Sequence, residues 1–535
     1  MDTMSSPGSA TQPFDLVIVG AGSAGAVVAA RASENPALRV ALVEAGPDPL
    51  AEALPTDLFD GRHNSLREHD WDSRHHPVSG RPSIPFPRGR VTGGSSAVNT
   101  AIALRPAPED LDGWAELGNT EWGFDACLSS LRRLERDLDY GHLDHHGDAG
   151  PITIRRHVGD ELTETHAAFL ETAAALGHPP CEDHNHPSAV GAGPQPMNKL
   201  ADHQRVSTAT GYLAAARGRS NLEIFANTTT IRVLIENGVA VGVETRTDRS
   251  DHSAVIFGTT IVVSAGALQT PALLWRSGVG PADAIRSLGV DLVADMPGVG
   301  ANLDDHPATM LIVKPHDSAL ADRELPLIQT VLRYPGAESE TRADLQIELI
   351  TYVDHPRFEG CFGLAAVLET THRGLEGVTD EGEGDPHRGF VRAQSTDPDA
   401  RPLVESNFGS DPVDVERLAD ALLDCVPFIE VGPLGELVEQ VVHPRLPLSR
   451  DGALSLCARS VGSGFHPCGT ARMGPAGTSM AVVDQFGRCH RVDNLVVADA
   501  SIMPFVPRAN TNLTSIMVGE RIGEWIRTRP AFYGL

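Results

Sequence analysis

Apolar positions along this chain form short unbroken runs near both ends, with alternating and helically spaced patterns between them. Leu16-Val17-Ile18-Val19 and Val40-Ala41-Leu42-Val43 are continuous apolar runs, the pattern of parallel strands buried on both faces. A glycine turn and a stretch of small apolar residues lie between them and predict a helix. Residues 47–90 are rich in Pro, Arg, His and Asp and read as irregular loop. Helical spacing follows over Leu111–Leu138 and Leu162–Leu176, with a strand at 151–154 between them. Strands are predicted over Leu222–Ile231, Val239–Thr245 and Val255–Val263, the last running through small residues into a helix near Gly266–Leu274. From about 306 to 455 the pattern changes to alternating strands such as Asp344–Tyr352, helices such as Val413–Phe428 and acidic loops such as Asp380–Asp385. An apolar strand returns at Asn494–Ala500, and a helix over Thr514–Ile526 closes the pattern. No repeat of 20–50 residues is visible.

This layout predicts an α/β fold with a helix-rich antiparallel α+β unit inserted between segments of a parallel-sheet domain. The expected segments of the first domain are 14–155, 221–305 and 456–530; those of the second are 156–220 and 306–455. A chain of 535 residues exceeds a single core, in keeping with two domains. Charge narrows the partners: a formal net charge of −28 repels phosphate surfaces, which argues against nucleic acid or anionic membrane. No apolar stretch reaches 18 residues, so no membrane span is expected. Residues 1–13 look like a disordered leader without the features of a secretory signal. Seven scattered cysteines without a CxxC pair fit free thiols in a reducing cytoplasm.

The chemistry begins at Gly20-Ala21-Gly22-Ser23-Ala24-Gly25. In such a strand–turn–helix, Gly20 permits the tight turn, Gly22 lets a pyrophosphate approach and Gly25 lets helix and strand pack closely. The free N–H groups of the helix that follows favour phosphate. Glu44, followed by Ala45, stands about 20 residues on, where an acid accepts from ribose hydroxyls. The motif predicts a bound dinucleotide and does not by itself choose between FAD and NAD. Two further small-residue segments suit close approach to a flat ring or phosphate: Gly89-Arg90-Val91-Thr92-Gly93-Gly94-Ser95-Ser96-Ala97-Val98-Asn99, and Ser264-Ala265-Gly266.

Four blocks together resemble the glucose–methanol–choline (GMC) oxidoreductases over about 14–527. They are the fingerprint with Glu44; the segment 89–99 followed by Pro106; Gly266-Ala267-Leu268-Gln269-Thr270-Pro271 through Gly280; and His466-Pro467-Cys468-Gly469-Thr470 with Asp499-Ala500-Ser501 and Asn510-Thr511-Asn512. The resemblance implies a Rossmann-type FAD-binding domain, selects FAD over NAD, and implies oxidation of an alcohol to an aldehyde or ketone. His466 is implied as the base, Asn510 as the alkoxide donor, and N5 of the flavin as the hydride acceptor. It further implies cofactor contacts at Arg90, Val91, Gly94, Ser95, Asn99, Thr100, Ala101, Thr230, Ser264, Ala265, Gly266, Asp499, Ala500, Asn512 and Leu513, with Phe465 and Glu348 as substrate candidates.

Departures from the family pattern carry information. Thr92 stands where the family usually has Leu. Val98 occupies a position at which covalent members can carry a linking histidine, so FAD is expected to be non-covalent. Ala308 follows Asp305-His306-Pro307 where choline oxidases have a cation-binding Glu, which speaks against choline. Furfuryl and aryl-alcohol oxidases share the His-then-Asn pair. Choline oxidases have a substrate-contacting His at the position of Glu348, whose simplest reading is nonetheless a solvent-facing acid. Gly464 and Phe465 point in opposite directions on reactivity with oxygen, so oxygen and a quinone or protein carrier both stand as acceptors. The alternative from another class is a hydroxynitrile lyase, which keeps FAD as structure. His142, His145 and His146, and Cys181, Asp183, His184 and His186, are polar groups without conventional zinc spacing, and no metal is expected.

Overall fold

The computed structural model describes residues 13–51, 53–248, 252–337, 339–372 and 388–535; most of the expected leader and the acidic loop Asp380–Asp385 lie outside them. The continuous apolar runs become the centre of a seven-stranded sheet. Its spatial order is Leu222–Phe225, Val40–Val43, Phe14–Val19, Ser253–Val263, Val239–Thr247 and Thr228–Glu236, and Leu495–Val497 also pairs with Ser253–Val263. The strand Ser253–Val263 has two roles. Its first half pairs antiparallel with Gly242–Arg246, and its second half pairs parallel with Phe14–Val19 on one side and Leu495–Val497 on the other. The parallel half is fully covered, Ile261, Val262 and Val263 being wholly buried, whereas Val255 and Phe257 in the antiparallel half are exposed.

Against this sheet packs the helix Gly25–Ala32, and against that helix packs Thr511–Thr528. Small residues let the two helices touch: a Cβ at Gly519 would stand 2.6 Å from the Ala24 carbonyl oxygen. Glu520, wholly buried in the second helix, is held by Arg31, Arg133 and the Tyr212 hydroxyl. Among the described residues, no helix is long and apolar enough to cross a membrane. All seven cysteines are free thiols.

A second seven-stranded sheet is antiparallel, in the order Val438–His443, Pro307–Pro315, Phe362–Leu368, Leu345–Ile350, Thr330–Tyr334 and Gly191–Pro194, and Gly462–Ser463 also pairs with Pro307–Pro315. Side chains alternate across it. Leu345, Ile347 and Leu349 join a core with helices Glu164–Ala175 and Pro412–Asp424, while Gln346, Glu348 and Ile350 face the opposite way.

Local chemistry explains where elements depart from the sequence pattern. The single helix expected over Leu111–Leu138 is two, Pro108–Glu116 and Phe124–Leu134, interrupted at Gly118, whose φ is +92°. The strand expected over Leu222–Ile231 breaks at Asn227, whose φ of +50° turns the chain from the parallel to the antiparallel half of the sheet. The helix over Val413–Phe428 divides at Cys425, because Pro427 offers no N–H to continue it.

Candidate active site

A continuous cavity of about 1060 Å³ is lined by the carboxyl ends of the parallel strands, by the second sheet and by the segment 64–100. Gly20, Gly22, Ser23, Ala24, Glu44, Ala45, Gly94, Ser95, Asn99, Thr100, Thr230, Ser264, Ala265, Gly266, Asp499, Ala500 and Asn512 all line it, as do His466, Asn510, Phe465 and Glu348. Residues 489 positions apart are thus brought into contact where the Ser23 hydroxyl donates to Asn512 Oδ1 at 3.2 Å.

Glu44 is fixed at the end of its strand. Its Oε2 accepts from the Ala21 N–H and its Oε1 from the Gly46 N–H, both at 2.9 Å, and burial pushes its carboxyl up to about 7. The Gly94 backbone lies across the fingerprint turn, where a Cβ would stand 2.6 Å from Gly22 Cα. Asp499 joins two loops: its Oδ2 accepts from Gly266 N and Thr270 Oγ1, its Oδ1 from Ser501 N and Oγ. Thr229 Oγ1, Thr230 Oγ1 and Asn512 Nδ2 are buried on this wall without a hydrogen-bond partner. A glycine cradle, an anchored acid and unpaired hydroxyl and amide groups along one elongated cavity fit FAD.

Five expected cofactor residues do not line the cavity. Gly25 packs against the turn itself, a Cβ there standing 2.0 Å from the Gly20 carbonyl oxygen. Arg90 lies over the Trp71 ring and points at Asp248. Val91 is wholly buried in a small cluster with Leu58, Ala97 and Val98. Ala101 is wholly buried and donates its N–H to Asn99 Oδ1. Leu513 points into the main core, one position along the helix from Asn512. Gly25, Arg90, Ala101 and Leu513 each stand next to a lining residue.

At the other end of the cavity a hydrogen-bond chain fixes the histidine. His306 Nε2 lies 3.1 Å from the Pro507 carbonyl oxygen, His306 Nδ1 lies 2.9 Å from His466 Nδ1, and His466 Nε2 lies 2.9 Å from Asn510 Nδ2. A carbonyl can only accept, so His306 carries its proton on Nε2 and presents a lone pair at Nδ1. His466 therefore donates through Nδ1–H and keeps an unprotonated Nε2, to which the Asn510 amide donates. Burial, with His306 and the Arg88 charge, holds His466 well below its ordinary range, so the ring is neutral at pH 7.

Supports around this pair went unread in the sequence. Asp305 Oδ1 accepts the N–H of both His306 and His466 at 2.7 Å, and its Oδ2 accepts from Ser463 Oγ at 2.5 Å. Arg88 donates to the Phe465 carbonyl at 2.9 Å, and Phe465 itself has a φ of +67°. Asn510 immediately precedes the buried helix Thr511–Thr528, which gives it a rigid mount. The only sequence signal for His306 and Asp305 was their place in Asp-His-Pro, 160 positions before His466.

Glu348 is not the solvent-facing acid of the simplest reading. It is 8% exposed, lines the cavity, and accepts from Gln195 Nε2 at 3.1 Å through Oε1. Of the two histidine groups, His145, His146 and Asp183 come together, their ligand atoms within 4.8 Å of one another. His146 sits between Glu135 Oε1 and Asp183 Oδ2 at 2.8 and 2.9 Å, and Arg105 and Arg156 neutralise these carboxylates.

Comparison with known proteins identifies the family. Family models for GMC oxidoreductase match residues 14–308 and 385–519. A 5-(hydroxymethyl)furfural oxidase of Methylovorus sp. is 32% identical over 551 residues, covering 96% of this chain and 99% of that protein. An oxygen-dependent choline dehydrogenase of Klebsiella pneumoniae is also 32% identical, over 96% of both chains. The crystal structure of pyridoxine 4-oxidase from Mesorbium loti superposes with a TM-score of 0.85 at 30% identity, covering 95% of this chain and 98% of that one. The chain belongs to the GMC oxidoreductases and is an FAD-dependent enzyme acting on CH–OH donors.

Proposed function

We propose that the protein oxidises a small alcohol to its aldehyde or ketone, with His466 as base and Asn510 as alkoxide donor. The observation that carries this reading is the chain Pro507–His306–His466–Asn510, which leaves an unprotonated Nε2 facing an amide donor. An alcohol hydroxyl entering between them donates to His466 Nε2 and accepts from Asn510 Nδ2. As the proton passes to Nε2, charge builds on the alcohol oxygen and the amide, which holds no competing proton acceptor toward it, stabilises that charge. The imidazolium so formed keeps its Nδ1–H on His306. FAD, when bound, supplies the acceptor for the hydride that leaves the carbinol carbon.

Val98 lines the cavity and offers no atom for a flavin link, which supports a non-covalent cofactor. The names of the oxidase and the oxygen-dependent relative support molecular oxygen as the electron acceptor. Adding an alcohol series to the yellow protein without oxygen tests the reading: bleaching of the flavin is expected, and acid precipitation should leave free FAD in the supernatant. A lyase that keeps FAD as structure would show no bleaching with any alcohol.

A further inference from the structure

The wall that the second sheet contributes carries buried polar groups for which the proton transfer has no use. Gln346 and Glu348 are 3% and 8% exposed and line the cavity, two residues apart on one face of their strand. Glu348 Oε1 is occupied by Gln195, but its Oε2 accepts from none of the described residues. The Gln346 amide likewise has no partner among them, and Gln195 Oε1 is buried and unpaired. The charged group acting on Glu348 is Glu369, of like sign; burial first and Glu369 second push the Glu348 carboxyl up to about 8. Across the sheet its row continues through Ala365 and Met310, which are apolar.

Buried polar groups without partners cost free energy unless a ligand supplies the partner. Here the site has unsatisfied acceptors, a carboxyl and, among the described residues, no cation acting on it, so it calls for a ligand that brings a cation or takes the acid's proton. Its place in the sheet sets the distance. Glu348 pairs with Ala365, which pairs with Met310; Ala308, two residues back along that strand, pairs with Gly462, four residues before the base. Two strand spacings and one pleat repeat put the Glu348 backbone about 10–12 Å from that of Ala308. Glu348 thus springs from a part of the wall two strands away from the Gly462–Ser463 strand that leads to the base.

We propose that Glu348, positioned by Gln195 and flanked by Gln346, is a subsite for a basic nitrogen, and that the alcohol oxidised here carries a protonatable amine or pyridine nitrogen at the end remote from its hydroxyl. The inference rests on the alcohol oxidation proposed above. A neutral amine takes the Oε2 proton of the acid, giving an ammonium–carboxylate pair with no net change in bound protons; a weaker base accepts the hydrogen bond without transfer.

The test uses FAD-loaded enzyme and two alcohols of like shape, 4-(aminomethyl)benzyl alcohol and 4-ethylbenzyl alcohol. The amine should have a KM lower by about tenfold or more, the usual worth of a charge-assisted hydrogen bond. In Glu348→Gln the two KM values should converge. A non-reacting amine, 4-methylbenzylamine, should perturb the flavin spectrum of the wild type with a Kd that Glu348→Gln weakens by a similar factor. Equal KM values in the wild type, or a preference that survives in Glu348→Gln, overturns the subsite. Should Glu348→Gln not fold, Glu348→Asp withdraws the carboxyl by one methylene and carries the same comparison. Bleaching by 4-ethylbenzyl alcohol without an amine preference defeats only the subsite. Bleaching by neither alcohol, nor by any member of the alcohol series above, defeats the oxidation reading, and the 4-methylbenzylamine titration then decides the subsite alone.

Discussion

His306 determines which nitrogen of His466 carries the proton, and so whether that ring can act as a base. Removing it as His306→Ala leaves Nδ1–H of His466 without its acceptor and frees the ring to hold either tautomer. Anaerobic flavin reduction should slow by up to about tenfold, the worth of one neutral hydrogen bond, while KM and FAD content stay near wild type. His306→Gln can accept from His466 through its amide oxygen and donate to the Pro507 carbonyl through its amide nitrogen, so it should recover most of the rate. Equal rates in His306→Ala and wild type would remove His306 from the account. At this scale the sequence was legible only where a motif spoke. His466 and Asn510 stood in matched blocks, whereas His306, Asp305 and Arg88 act through contacts across 160 to 377 positions that no local pattern encodes.

Among the elements, the first strand–turn–helix–strand unit was the most legible, because continuous apolar runs and fixed glycine spacing each have a single structural solution. Glu44 closes that unit by accepting from Ala21 and Gly46, which places a carboxylate oxygen on the cavity wall. Glu44→Ala should weaken FAD binding by about 10- to 100-fold, the range for losing a hydrogen bond to a charged group. The flavin-to-protein absorbance ratio after dialysis measures this, and a fully loaded variant would count against it. Boundaries were less legible. Hydrophobic periodicity reports which residues are covered but not where the chain turns, and Gly118, Asn227 and Pro427 each divide an element that reads as continuous. The face of Leu345–Ile350 was ambiguous for the same reason. Period-2 alternation groups Gln346 with Glu348, but only the core built by Leu345, Ile347 and Leu349 shows that their face is the cavity.

Over the whole molecule, two sheets of different kinds share one cavity, the parallel one offering strand ends and the antiparallel one a face. The segment 47–90 reads as loop because it has no periodicity, yet Asn64, Leu66, Arg67 and Trp71 form part of the cavity wall. Such a wall is specified by what it packs against, which lies in other parts of the chain. The proposed oxidation turns on His466 taking the proton of the alcohol. Because burial, His306 and Arg88 depress its proton affinity, the base is already neutral at pH 7. The wild-type rate of flavin reduction should be level at and above neutral pH and fall only in acid, as Nε2 becomes protonated. The most direct measurement is anaerobic stopped-flow reduction of the flavin in His466→Ala. The account predicts retained FAD, a rate lower by about 10²–10⁴-fold, and loss of the acid limb from the pH profile. A variant that reduces its flavin at the wild-type rate with the same pH profile would contradict it.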